Sequence, residues 1–492
     1  MKLKVSALLC VLLFSAVTCL VSVEFACCDS TSTDWWTSFH HDSANSGCST
    51  STVPMTNQIL WKYTTGGYVS SSPAVVDGVV YVGSYDNNVY AMNADDGSLV
   101  WSATLGGFVY SSPAIGDNYV YVGAGDNRVY AMEKATGALA WAYTTGGYVD
   151  SSPVIDNGMV YVGSYDDNLY ALSADIGLFV WSYTTGGSVM SSPAVVDDIV
   201  YVGSADGKVY ALNADDGSLV WSYTTGGSVY YSPAVVDDVV YVGSRDGKLY
   251  ALNANDGSML WSYTTGDYVD SSPAVANGVV YVGAYDGNLY ALNADDGSIV
   301  WSYTTGNSVT SSPAVANGIV YVGSGDSNVY AINAASGSLV WSYTTDGGVY
   351  SSPAIANGVV YVGSTDDNVY AFGLPSGTTY TVTFVESGLE TDTNWWVTFN
   401  GVTQSSSSDS ISFSVISGDY SYSINVPTGY NSTSVLSGTL TVADTNITEN
   451  IEFVIEEEIP EFESIVLLSV GLIAMSTLAV IFRNKMGKHS SR

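Results

Sequence analysis

The chain has 492 residues, with 47 acidic against 12 basic side chains and a formal charge of −35. Six of the twelve basic residues lie in the first four or last ten positions, so the region between is almost purely acidic. Such a surface repels phosphate backbones and excludes nucleic acid as a partner, while the length points to several domains or to a repeat.

Met1, Lys2 and Lys4 precede an apolar run from Val5 to about Val23, the pattern of a secretory signal, placed at residues 1–26. The chain is therefore expected to be exported. Its five cysteines are Cys10, Cys19, Cys27, Cys28 and Cys48, so nothing beyond position 48 can form a disulfide and the rest must be held by packing. Cys27 follows Ala26 where a lipid-modified cysteine would stand, but Glu24 and Phe25 suit that signal poorly. Residues 27–56 form a leading segment. Within it, His40, His41 and Asp42 are assigned a structural role rather than a metal site.

From there to residue 378 a period of 40 residues governs the sequence. Trp61, Trp101, Trp141, Trp181, Trp221, Trp261, Trp301 and Trp341 keep it without insertion or deletion, as do the prolines from Pro73 to Pro353 and the aspartates from Asp86 to Asp366. In one unit, Ser191 to Gly226, four short runs rich in Val, Tyr, Ala and Trp alternate with Asp197-Asp198, Asp206-Gly207 and Asp215-Asp216-Gly217. These read as four strands joined by hairpins, since Asp-Gly and Asn-Gly supply the positive φ angles of tight turns. Eight such units predict an all-β, eight-bladed β-propeller over residues 57–378. The Trp61 strand precedes the first Ser-Ser-Pro strand, and the last three strands, ending near Phe372, have no Trp strand after them. The Trp61 strand is thus expected to complete the last blade and close the ring.

The run from Ala211 through Asn213, Asp216 and Gly217 to Trp221 resembles the tryptophan-docking motif of PQQ-type propeller repeats, with Asn213 and Asp216 replacing the usual Asp and Thr. The preamble from Asp34 to Gly47 is similar to the segment that leads into such propellers. The resemblance implies the fold. It leaves function open, because the family includes quinoprotein dehydrogenases as well as non-catalytic assembly and surface proteins.

Beyond the period, Ser and Thr rise, and residues 379–455 read as a small β-sandwich of about six strands. Tyr380 to Leu389, with Trp395 to Gly401 after it, resembles a module of archaeal secreted proteins. Asn431-Ser432-Thr433 and Asn446-Ile447-Thr448 are glycosylation acceptors, at Asn431 and Asn446. An acidic linker at 456–464 leads to the uncharged stretch Ile465 to Phe482, which predicts one C-terminal transmembrane helix. Arg483, Lys485, Lys488 and Arg492 make residues 483–492 a basic cytoplasmic tail. Pro460-Glu461-Phe462 with that span and tail resembles the C-terminal sorting signals of archaeal surface proteins.

A quinoprotein dehydrogenase would, by the resemblance, hold an adjacent cysteine pair over its cofactor, a calcium site of Glu, Asn and Asp, and an Asp base. Residues 61–378 contain no Cys, no His, a single Glu (Glu133) and two Arg (Arg128, Arg245), and Cys27-Cys28 lie outside the ring. Eight near-identical blades also offer no asymmetric cleft for acid–base work. No catalytic residue, metal ligand or cofactor is therefore expected, PQQ and calcium being the alternatives. The repeated Asp at Asp86 and its equivalents is expected to cap a hairpin turn. One face departs from the repeat: Tyr68, Phe108, Tyr110, Tyr148, Asp150, Tyr230, Tyr268, Asp270 and Tyr350 mark one set of turns, and Tyr85, Tyr165, Arg245 and Tyr285 the next. Clustered aromatics on a rim favour contact with protein or carbohydrate, the alternative being that the tyrosines pack between blades; the opposite face also varies, at Lys134-Ala135-Thr136 and Ile176-Gly177-Leu178. The sequence thus predicts a non-catalytic cell-surface binding or scaffold protein on a membrane anchor, with an extracellular PQQ- or metal-dependent oxidoreductase as the alternative.

Overall fold

A computed structural model describes residues 34–51, 53–54, 56–373, 379–415, 418–443 and 445–455. The expected signal peptide at 1–26, Cys27, the linker, the membrane helix at 465–482 and the basic tail lie outside the described residues. Among the described residues no helix is long and apolar enough to cross a membrane. Two units are distinguished, the first ending at Thr378.

The repeat forms eight four-stranded antiparallel sheets. In the first, Ala74–Val76 lies innermost, followed by Val79–Gly83, Asn88–Asn93 and the outer strand Leu99–Thr104. The innermost hairpin turns on Asp77 and Gly78, with φ of 52° and 75°. Both angles lie in the left-handed region, which is why Asp, Asn and Gly recur there. Successive inner strands are neighbours, and Ala354–Ala356 returns to Ala74–Val76. The ring is also fastened by hydrogen bonds. The N–H of Ser72 donates to the Ser112 hydroxyl, Ser112 to Ser152, and so through Ser192, Ser232, Ser272, Ser312 and Ser352 back to Ser72, each at 2.9–3.0 Å.

Ring closure follows the shifted strand count. Ile59–Thr64 pairs antiparallel with Asn368–Phe372, placing Trp61 opposite Ala371 and Thr64 opposite Asn368. The outer-strand tryptophans bind each blade to the next. The Trp61 indole donates to the Ala94 carbonyl at 2.7 Å, and the ring lies on Gly97, where an added Cβ would meet it at 2.7 Å. Gly97 has a φ of 71°, so both space and backbone require glycine. Trp221 docks likewise on Ala254 and Gly257. Trp341 donates to the Pro54 carbonyl, as does the Tyr321 hydroxyl, so the leading segment receives this tryptophan.

That segment also fills part of the channel lined by the inner strands. The carbonyls of Trp36, Thr37, Ser43, Ala44, Ser46 and Gly47 accept the N–H groups of Val75, Ile115, Val195, Val235, Val275 and Val315 at 2.6–2.9 Å. Inner-strand donors that no neighbouring strand could satisfy are met there. Asn45 donates from its amide to the carbonyls of both Pro193 and Pro233. Cys48–Ser49 adds a parallel fifth strand beside Ala314–Ala316. Cys48 is disulfide-bonded.

Among the described residues the second unit has eight strands in two four-stranded sheets, against an expectation of about six. One runs in the order Ser410–Val415, Tyr380–Ser387, Ile447–Ile455, Tyr430–Ser432; the other Val402–Ser406, Trp395–Phe399, Gly418–Asn425, Ser437–Val442. Val382, Phe384, Trp395, Val397, Phe399 and Phe453 anchor one apolar cluster between them. Val402–Ser406 and Tyr430–Ser432 are short edge strands without buried alternation, so hydrophobic periodicity does not announce them.

Candidate functional site: an aromatic cavity at the channel mouth

The serine belt divides the channel. Positions 73–78 of each blade, on one side of the belt, meet the leading segment; positions 68–71 and the turns around 85 lie on the other. On this second side the repeat varies most. Tyr85 stacks on Phe108 with centroids 5.3 Å apart, and Phe108 meets Tyr148 at 5.9 Å and Tyr148 meets Tyr165 at 6.0 Å. Tyr68 joins from the preceding blade, 6.2 Å from Tyr85. Phe108 has room because the second blade carries Gly125 where the first has Tyr85: a Cβ on Gly125 would lie 2.4 Å from the Phe108 ring.

A second group is built on Arg245. Its Nε and Nη2 donate to both carboxylate oxygens of the buried Asp270, the shortest contact being 2.7 Å. The guanidinium lies over Tyr230, 4.3 Å from the centroid, and 5.6 Å from that of Tyr268. Tyr268 in turn meets Tyr285 at 6.4 Å. Asp270 fixes the fork and the rings cover its faces, so Arg245 is held in one orientation.

Between the groups opens a cavity of about 450 Å³, lined by Tyr85, Tyr110, Asp150, Tyr165, Met190, Tyr230, Tyr231 and Arg245. Six of the expected face residues, Tyr85, Tyr110, Asp150, Tyr165, Tyr230 and Arg245, thus converge. Tyr68, Phe108, Tyr148, Tyr268 and Tyr285 flank them as ring neighbours, Asp270 holds Arg245, and Tyr350 stands exposed beside Gly348. Met190 and Tyr231 are additions that sequence reasoning missed. For Tyr231 the signal was present: it alone interrupts eight Ser-Ser-Pro triplets. In the other seven blades that first serine accepts the N–H of a glycine in the second strand, as Ser71 does from Gly83. The fifth blade has exchanged this bond for a ring at the channel mouth.

The cavity's electrostatics follow from its depth and acidity. Burial, with the neighbouring Tyr85, Asp150 and Asp270, pushes the Tyr110 phenol up to about 12. Tyr231 is driven up by burial and by Tyr110, Asp270 and Tyr285, against which Arg245 works. The Asp150 carboxyl is pushed up by burial, with Tyr165 partly offsetting the shift. No acid–base pair with separated roles emerges among these groups.

The repeated aspartates do more than cap their hairpins. Asp86 Oδ1 accepts the Asn88 N–H at 2.9 Å, while Oδ2 accepts the Tyr90 hydroxyl at 2.5 Å and the N–H of Gly66, from the preceding blade's outer strand, at 2.7 Å. Burial works against its charge, but these donors outweigh it and hold the carboxyl below its ordinary range. Among the described residues no group of three or more His, Cys, Asp or Glu is arranged to hold a metal ion.

In the leading segment, His41 Nε2 lies 2.7 Å from Asp34 Oδ1 and its Nδ1 3.5 Å from Asp42 Oδ2. Burial opposes its charge, yet the two carboxylates raise it to about 9. His40 is enclosed, and burial lowers it to about 4 although Nδ1 meets the Asn45 carbonyl. The charged His41 and neutral His40 fasten the segment in place.

Eight closed four-stranded blades with inter-blade tryptophan docking define a β-propeller of the PQQ type. A family model described as outer membrane protein assembly factor BamB matches residues 50–150, 105–231, 225–312 and 304–422, and the chain belongs to that family. Among solved structures it is similar to BamB from Moraxella catarrhalis, with 20% identity and a TM-score of 0.58 over 64% of this chain and 99% of that one. A europium-containing methanol dehydrogenase gives 15% identity and a TM-score of 0.61 over 69% and 98% of the two chains. The quinohemoprotein alcohol dehydrogenase of Comamonas testosteroni gives 17% and 0.61 over 70% and 81%. At these identities the likeness is one of fold. No curated protein matches the chain.

Proposed function

We propose that the protein is a non-catalytic binding or scaffold protein displayed at a cell surface, and that its ligand docks at the aromatic cavity. The observation that carries this reading is Tyr231, where one blade of eight gives up a repeated structural serine and places a ring beside Tyr110, Tyr230 and Arg245. A packing role is served by the serine in the other blades, so the exchange is explained by what the cavity receives. The family is described by an assembly factor, and scaffold use of the same fold makes a protein, or a carbohydrate presented at the surface, the partner here. In this reading Ile465 to Phe482 anchors the chain, and the exposed Asn431 and Asn446 carry glycans.

An extracellular quinone- or metal-dependent oxidoreductase is the alternative, supported by the fold it shares with the dehydrogenases. The cavity does not fit PQQ. A tricarboxylate needs cations, whereas Arg245 is already engaged by Asp270, and Asp150 adds a second negative charge. Absorbance and mass spectra of the purified protein decide the matter, since a bound quinone would overturn the binding reading. Protein and glycan arrays probed with wild type and with Tyr231→Ser test it directly. A partner retained by wild type and lost by the variant is expected; equal retention would place the ligand elsewhere.

A further inference from the structure

The cavity's own contents indicate the chemistry it favours. An aromatic ring presents negative potential from its face, and cations settle there. The protein already uses this: Arg245 lies 4.3 Å from the centroid of Tyr230, with its charge matched by Asp270. Asp150, on the same cavity, has no such cation. Its Oδ1 is buried without a hydrogen-bond partner, a costly state that a bound cation would relieve. An uncharged group at this point of the ligand would leave that charge unmatched, and an anionic one would be repelled by it.

We infer that the cavity binds an organic ammonium ion, with its nitrogen between the Asp150 carboxylate and the rings of Tyr85, Tyr110, Tyr165, Tyr230 and Tyr231. This rests on reading the aromatic face as the binding face. The cavity, at about 450 Å³, accommodates the ammonium head together with its substituents. The surplus of 47 acidic over 12 basic residues favours the approach of cations to the surface around it.

The test is calorimetric titration of the full chain with choline, with the uncharged tert-butyl isostere of choline, and with Nα-acetyl-lysine amide. Choline is expected to bind at least about ten-fold more tightly than its isostere, the difference being the cation's attraction to rings and carboxylate. Asp150→Asn keeps the shape and should remove the preference. If that variant melts well below wild type, Tyr231→Ser, which returns to the repeat consensus, takes its place. Tighter binding of the lysine amide than of choline assigns the ammonium to a protein side chain, and the reverse assigns it to a free small cation; both support the inference. An isostere that binds as well as choline overturns it, as does a folded chain indifferent to all three probes. If that indifferent chain still loses its array partner on Tyr231→Ser, the cation inference falls while the binding face stands.

Discussion

On one side of the serine belt, the leading segment from Trp36 to Gly47 fills the channel and meets six of the eight inner strands with its own carbonyls. On the other, an open cavity forms from substitutions at turn positions of the repeat. Both regions make equivalent blades inequivalent, by different means. The filled end does so with an aperiodic peptide whose carbonyls pair with the inner strands and whose histidines are buried. The open end does so by exchanging side chains at turn positions, leaving a carboxylate oxygen of Asp150 without a partner beside a ring-lined cavity. Stability is concentrated in the first region and unspent binding capacity in the second.

The contrast can be broken first at the filled end. Trp36 is buried among inner-strand residues such as Val75, and Trp36→Ala should cost about 3–5 kcal/mol, seen as a lower denaturation midpoint. A shift no larger than that of a surface mutant would mean the segment merely lies against the ring. Next comes pH. His41, raised to about 9, contributes stability that is fully present below the unfolded histidine value of about 6.5 and is lost as pH rises towards 9, a swing of about 3 kcal/mol. His40, lowered to about 4, contributes stability present above about 6.5 and lost as pH falls towards 4. The melting temperature should therefore peak near neutrality, and His41→Gln should flatten the alkaline limb. An unchanged limb would break the assignment.

At the open end the effects should shift from folding to binding. Tyr231→Ser is expected to change stability by less than about 0.5 kcal/mol while removing a contact worth about 1–3 kcal/mol to a bound partner. The smallest effect is expected from replacing Tyr68, Tyr148 and Tyr268 together by serine. They stand 47–55% exposed and outside the cavity lining, and serine already occupies the equivalent positions Ser188, Ser228 and Ser308. A loss of binding as large as that of Tyr231→Ser would extend the site across the whole rim.

What the sequence made legible was what repeats. The period of Trp61 to Trp341 defined blades and closure because each docking event recurs at fixed spacing, and the aromatic face was visible as departure from that spacing. The path of residues 36–47 was not legible, since its bonds to Val75 and Val235 join unrelated sequence with no period to reveal them. The aspartate bond from Asp86 to Gly66 was missed because a turn signal speaks only of its own hairpin. Tyr231 stands outside the variable turns, at a position that is serine in the other seven blades, so the turn pattern does not point to it.

The closure of the ring has a mechanical consequence. Ile59 enters the last blade opposite Phe372, where the chain leaves it, so both points of load fall at the same end of one antiparallel pair. Tension applied between the chain before Ile59 and the chain after Phe372 draws the two strands apart from that end. It breaks their hydrogen bonds one after another rather than all at once in shear. The seam is therefore where tension applied at those two points begins to peel the ring, and the grip of Trp61 on Ala94 and Gly97 resists it.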